Sequence, residues 1–308
     1  MICQICNWEI KYFLSWKDYR YNSSSKIYDI YKCNKCKTEQ IYPIPTKEEQ
    51  KLFYSKNYYS FSKNEQSWKL NNKIKNFIDS LRFIFFGINF KITKWGFDNF
   101  VDENIKKDNY YILDIWCGDR NTKNSFWSKW TRNWFEIWEK RKDTDIYYWQ
   151  AITDINFQNK YDALMSIHSL EHIDKPNEFI KKSYDILNDW WFMLMKLPSC
   201  EWVFTNIIWK YSSERDIPRH IFNYSQKWLE ILCEKWWFKI IKSLYLKNYC
   251  TYNSLQRYIK SNFSKDITKS KFSILFSLLF YIIDMWISFL PLRTNQLWII
   301  IQKQTKLM

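Results

Sequence analysis

Glycine is nearly missing from this chain, with three residues in 308, where an ordinary protein gives about 7% of its positions to it. The chain thus lacks the residue that enters left-handed turns at no steric cost, and an α/β protein needs such turns where helices hand over to strands. Alanine is confined to Ala151 and Ala163, and histidine to His168, His172 and His220. No secretory signal opens the sequence, because Met1-Ile-Cys-Gln-Ile-Cys6 has neither a basic start nor an apolar run, and a cytoplasmic location is expected. In a reducing compartment the eight cysteines are not a disulfide framework, so cysteine pairs at metal-ligand spacing carry the information.

With 46% hydrophobic and 26% charged residues the composition is that of a globular protein, which excludes a disordered tail or a collagen-like chain. The length fits one full domain with a small appendage. Lys, Ile, Asn, Tyr and Phe crowd the sequence in the manner of an AT-rich gene, so the net charge of +15 and pI near 9.2 are not read as a binding signature. Nineteen tryptophans contradict that profile, since the standard tryptophan codon is UGG. Tryptophan and glycine together make up about 7% of the chain, the ordinary glycine share. The expectation is that the gene reads UGA as glycine, as some bacterial lineages do, and that many tryptophans shown here stand at glycine positions.

Cys3-Gln-Ile-Cys6 and Cys33-Asn-Lys-Cys36 form two CxxC pairs twenty-six residues apart. Zn²⁺ takes four thiolates in a tetrahedron, and each CxxC turn presents two sulfurs to one ion while the intervening strands close the site. A structural zinc ribbon over residues 1–45 is expected, with free thiols or a redox pair as alternatives. Cys117, Cys200, Cys233 and Cys250 have no partner at metal spacing and read as small apolar residues. Residues 46–105 read as a helical connector, with a short helix from Lys47 and a longer one over 68–90.

From Tyr110 the chain reads Tyr-Tyr-Ile-Leu-Asp-Ile-Trp-Cys-Gly-Asp-Arg120, an apolar strand entering a turn, and Glu136 ends the next apolar stretch 22 residues after Asp114. A nucleoside-binding α/β unit needs this order: a strand, a turn whose backbone lies against the ligand, a helix, and an acidic residue at the second strand's tip for the ribose hydroxyls. With glycine at 116 the run becomes Leu-Asp-Ile-Gly-Cys-Gly-Asp, which resembles motif I of the class I S-adenosylmethionine-dependent methyltransferases. The resemblance continues through Tyr161-Asp-Ala-Leu-Met-Ser-Ile-His-Ser-Leu-Glu-His172, Ile186-Leu-Asn-Asp-Trp-Trp-Phe-Met-Leu-Met-Lys-Leu-Pro198 and Asp216-Ile-Pro-Arg-His220 to Trp236-Trp237-Phe238. In it, Trp134, Trp190, Trp191, Trp236 and Trp237 fall where the family has glycine; Arg120 departs from it, standing where many members have a third glycine.

The resemblance implies a Rossmann-like doubly wound sheet with an antiparallel last strand over 106–308, preceded by the small ribbon. It implies that Asp114 orients the first loop, that Trp116, Cys117, Gly118 and Asp119 pass against the methionine and ribose, and that Glu136 holds the ribose hydroxyls. Gln150 or Asp154 would lie near adenine after a third strand at 145–149, and His168 near the open edge of the cofactor pocket. For Glu136 alone, a solvated carboxylate is the alternative. His172 is the first candidate for a catalytic base and His220 the second; His172 capping a helix over 174–187 or holding Glu171 is the alternative. Arg219 is a candidate for an anionic substrate group, with a surface salt bridge as its alternative.

Substrate regions are expected at about 199–219 and 243–296. The second holds residues 272–290, nineteen residues with one charge, a length that suffices to cross a bilayer. Residues 297–301 read as the last strand and must rejoin the sheet on the same side. That favours a pocket-covering helix or an interfacial helix at a membrane over a span. The expected activity is methyl transfer from S-adenosylmethionine to a small-molecule acceptor such as a glycan, quinone or lipid-linked precursor, with peripheral membrane contact through 272–290. The alternatives are methylation of ribosomal or transfer RNA, which a ribbon and a basic chain also suit, and a catalytically dead binding module if Trp116 is genuine.

Overall fold

The computed structural model describes residues 1–54, 110–115, 130–136, 146–148, 157, 159–201, 211–246, 251–263, 279, 283 and 296–305. Nearly all of them fall in one compact unit, Met1–Phe53 with Tyr111–Cys117 and Arg132–Met308; the other unit is Tyr54–Tyr110 with Gly118–Thr131.

The N-terminal segment folds into β1 (Ile10–Trp16), β2 (Tyr28–Cys33) and β3 (Glu39–Tyr42), an antiparallel meander. Its sheet takes a fourth strand from far along the chain, β9 (Phe222–Asn223), which pairs with β3 through Glu39↔Asn223 and Gln40↔Phe222. The next residue, Tyr224, bridges Ser199 at the end of the main sheet's β8 (Leu187–Pro198). The appendage expected over 1–45 is therefore tied by backbone pairing to the second half of the chain.

The main sheet has seven strands among the described residues: β4 (Tyr110–Ile115), β5 (Trp130–Glu136), β6 (Ile146–Tyr148), β7 (Tyr161–Ile167), β8, β10 (Phe238–Leu246) and β11 (Gln296–Lys303). Their order is β10-β11-β8-β7-β4-β5-β6, with β4, β7 and β8 in parallel register and β11 antiparallel to both β8 and β10. This is the α/β architecture with a mixed sheet that the resemblance implied. Its last strand lies inside the sheet, between β8 and β10. Leu113, Leu164, Met193 and Ile301 are fully buried at the centre, as strands covered on both faces require.

Helix α1 (Lys47–Phe53) opens the expected connector, whose helix at 68–90 lies outside the described residues. Helix α2 (Pro176–Ile186) begins two residues later than expected, with proline in its first turn, and buries Phe179, Ile180, Ser183 and Ile186 at three- and four-residue spacing. Helix α3 (Gln226–Trp236) is capped by the Ser225 hydroxyl, which accepts from the Trp228 amide, and buries Trp228, Leu229, Leu232 and Cys233. It ends on Trp237 in the left-handed conformation, φ 58° and ψ 42°, and β10 starts at the next residue. Trp190 has φ 66°, where the pairing of β8 with β7 steps from Leu187 opposite Tyr161 to Phe192 opposite Ala163. Helix α4 (Thr251–Phe263) follows β10. Among the described residues no helix is long and apolar enough to cross a membrane; of 272–290 only Leu279 and Ile283 are described.

Candidate functional site

The four cysteines of the CxxC pairs converge, with one sulfur from each within 4.8 Å of the others. Cys3 Sγ lies 3.6 Å from Cys36 Sγ and Cys6 Sγ 3.5 Å from Cys33 Sγ, and none is in a disulfide. The two turns are built alike. Asn7 and Lys37, each following the second cysteine of its pair, take left-handed φ values of 57° and 59°, and their amides donate to the carbonyls of Cys3 and Cys33. Such a turn aims both sulfurs of a pair to one side. The Ser225 hydroxyl that caps α3 also donates to the Cys36 carbonyl, which fixes the helix start against the cysteine cluster.

A second group of chemistry-bearing residues gathers where β7 ends. In a doubly wound sheet, ligands bind outside the carboxyl ends of the strands, at the point where strand order reverses. Here that point lies between β4 and β7, since the chain builds outward from β4 through β5 to β6 on one side and from β7 to β8 on the other. Asp114, only 5% exposed, sits one residue before the end of β4. Glu136 is the last residue of β5, the strand beside β4. Trp116, Cys117, Gly118, Asp119, Gln150 and Asp154 lie outside the described residues. His168 follows β7 with φ 53° and its amide bonded to the Lys196 carbonyl, so the chain turns sharply off the sheet there.

That turn delivers Leu170–His172, a single 3-10 turn, under the segment 211–225. Glu171 is fully buried; its Oε1 lies 3.3 Å from His168 Nδ1, and its Oε2 has no hydrogen-bond partner. The rings of His172 and His220 meet edge to face with centroids 4.8 Å apart. Each anchors Nδ1 on a backbone carbonyl, His172 on Arg219 at 2.9 Å and His220 on Glu214 at 2.8 Å. Burial lowers both imidazoles to about 4, so both are neutral at physiological pH. Burial raises Glu171 to about 7, against the pull of His172 and Lys196.

Arg219 has partners other than the anionic substrate expected of it. Its guanidinium is buried and donates to both carboxylate oxygens of Asp18, at 3.1 and 2.8 Å, and to Asp216 at 3.0 Å, with the Tyr21 ring 4.6 Å away. Arg20 donates to the other Asp216 oxygen at 2.9 Å, so the two guanidinium groups share that carboxylate, with Arg257 adding a further positive charge nearby. Beside this set Arg215 forms a bidentate pair with Glu39 of β3, at 2.9 and 2.8 Å, both buried. The described part of the segment read as a substrate insertion, 211–219, is thus tied to the N-terminal segment, with Arg215 on Glu39 of β3 and Arg219 on Asp18 of the loop after β1.

No protein-family model and no curated protein matches the chain. Solved structures of similar chain path include a SAM-dependent methyltransferase from Archaeoglobus fulgidus, 16% identical, covering 67% of this chain and 93% of its own with a TM-score of 0.42. The cyclopropane synthase MmaA2 from Mycobacterium tuberculosis is 14% identical, covers 69% and 84%, and has a TM-score of 0.43. The [4+2]-cyclase SpnF is 10% identical, covers 68% and 80%, and has a TM-score of 0.41.

Sequence reasoning named Glu171 only as a partner for His172, missing its grouping with His220, and missed Asp18 as the partner of Arg219. Leu-Glu-His put the carboxylate beside His172, but nothing in the local spacing pointed from it to His220, some fifty positions on. Asp18 carried no signal, since it stands in an irregular loop some 200 positions from Arg219 and only tertiary packing joins them.

Proposed function

We propose that this chain is an S-adenosylmethionine-dependent methyltransferase acting on a small-molecule acceptor, a glycan, quinone or lipid-linked precursor. The observation that carries the reading is the register between motif and topology. The strand that ends in the motif-like run is β4, one of the two central strands at which strand order reverses, and Glu136 ends its neighbour β5. The donor set suits the ligand, because carboxylates at adjacent strand tips can meet an amino group and ribose hydroxyls.

S-adenosylmethionine supplies an electrophilic methyl group on a sulfonium. The work left to the protein is to hold the acceptor in line and to keep water out. His172 and His220 are the groups for the acceptor's proton, being neutral, buried and fixed at Nδ1, which leaves Nε2 as the nitrogen that accepts. Four thiolates would hold a structural Zn²⁺, for which sulfurs about 3.8 Å apart are expected at Zn–S distances near 2.3 Å. The 3.6 and 3.5 Å pairs support that assignment. Glycine at 190 and 237 in the native protein is supported by the left-handed backbone at both tryptophans. In this reading the enzyme is cytoplasmic and touches a membrane through 272–290.

Isothermal titration of S-adenosylmethionine into the chain as written and into Trp116→Gly tests the reading. Binding at least tenfold tighter by the glycine variant is expected. No binding by either refutes the methyltransferase assignment, and equal tight binding by both refutes the account of the first loop.

A further inference from the structure

We propose that Glu171, His172 and His220 form a second metal site, for a divalent ion of the zinc class, distinct from the four-cysteine cluster. One ligating atom from each of the three lies within 4.8 Å of the others, and all three residues are buried. A carboxylate oxygen that is buried and has no hydrogen-bond donor is costly, and Glu171 Oε2 is such an atom. A cation bound there offsets that cost, since it gives the buried carboxylate a counter-charge.

The histidines are prepared in the manner of ligands. A metal-bound imidazole almost always donates its other nitrogen's proton to a carbonyl or carboxylate, which fixes ring orientation and tautomer. His172 and His220 do this through Nδ1, at 2.9 and 2.8 Å, to two different carbonyls of the segment 211–225. With Nδ1 carrying the proton, Nε2 of each ring carries the lone pair. His168 Nδ1, 3.3 Å from Glu171 Oε1, orients the carboxylate. Two histidines and one glutamate make the donor set of catalytic zinc sites, in which three protein ligands leave a coordination position open. The site lies just beyond the end of β7, at the carboxyl edge of the sheet. If the methyl-transfer reading holds, the metal-bound form uses the ion in place of the two Nε2 atoms: the open position suits an acceptor hydroxyl or enol oxygen, whose proton a bound ion makes easier to lose. The metal site itself does not depend on that reading.

The test uses the full chain, stripped of metal and reloaded with one equivalent of Zn²⁺, which the four thiolates take first. One equivalent of Co²⁺ is then added. The expected result is uptake of that equivalent with d–d absorption and no thiolate-to-cobalt charge-transfer band. Glu171→Gln and His220→Asn should each weaken Co²⁺ uptake at least tenfold while the ribbon cysteines stay protected from alkylation. Absence of Co²⁺ uptake, a spectrum with thiolate charge transfer, or uptake unchanged in both variants overturns the site. If the variants do not fold, the spectrum of the unaltered chain decides alone. Calorimetry with S-adenosylmethionine on the same samples separates failure of the metal site from failure of the methyltransferase assignment.

Discussion

Two tryptophans show how a single residue can stand against its own backbone. Trp237 closes α3 at φ 58°, and Trp190 sits at φ 66° where β8 enters its pairing with β7; both are about half exposed, at 47% and 55%. A residue with a Cβ pays on the order of 1–2 kcal/mol in this conformation, and glycine avoids the cost while losing somewhat more chain entropy on folding. Replacing Trp237 by glycine is therefore expected to raise unfolding free energy by about 1 kcal/mol in urea denaturation. Trp237→Ala is the control, since alanine removes the indole but keeps the Cβ. An equal gain from alanine would trace the effect to exposed aromatic surface and sink the backbone account.

Between elements, the links that matter join the N-terminal sheet to the segment 211–225. Burial alone would raise the Asp18 carboxyl, but the bidentate Arg219 guanidinium, Ser23 and the Tyr21 amide outweigh it and hold the group below the usual carboxylate range. With the folded value lower than the unfolded one of about 3.9, this carboxylate's contribution is complete above that pH and is lost as pH falls through the folded value. Asp18→Asn should cost about 3 kcal/mol at neutral pH, because it leaves Arg219 short of a buried counter-charge. Its stability should also fall less steeply than the parent's below about pH 4. Parallel acid limbs for the two proteins in denaturant titrations would show that Asp18 is not the linkage group.

Across the whole molecule, the N-terminal sheet and the main sheet share one scaffold. β9 pairs with β3, Tyr224 bridges Ser199, and Ser225 bonds both the start of α3 and the Cys36 carbonyl, so the histidine cluster hangs between two sheets. Loosening the cysteine turns should free the segment carrying His220. Cys33→Ser is expected to speed hydrogen exchange of the amides of Ile221 and Cys200, which are bonded to Glu171 and Tyr224, at least tenfold, while the β7 core exchanges as before. Faster exchange confined to the N-terminal sheet would mean that the two sheets open independently.

Local spacing made much of this legible from the residues alone. The CxxC pairs named their own cluster, because two thiols three positions apart on one turn must face the same way. The apolar run at 110–115 named the central strand, and the helix expected over 174–187 forms as α2. Even the misfit tryptophans at 190 and 237 were visible as positions that ask for a left-handed backbone. Folding alone decided that β11 lies inside the sheet, that β9 leaves the main sheet to complete the N-terminal one, and that Arg219 meets Asp18. It also brought Glu171, His172 and His220 together across some fifty positions. Such pairings depend on which distant surfaces bury one another and which buried charges find counter-charges, and no window of neighbouring residues holds that information.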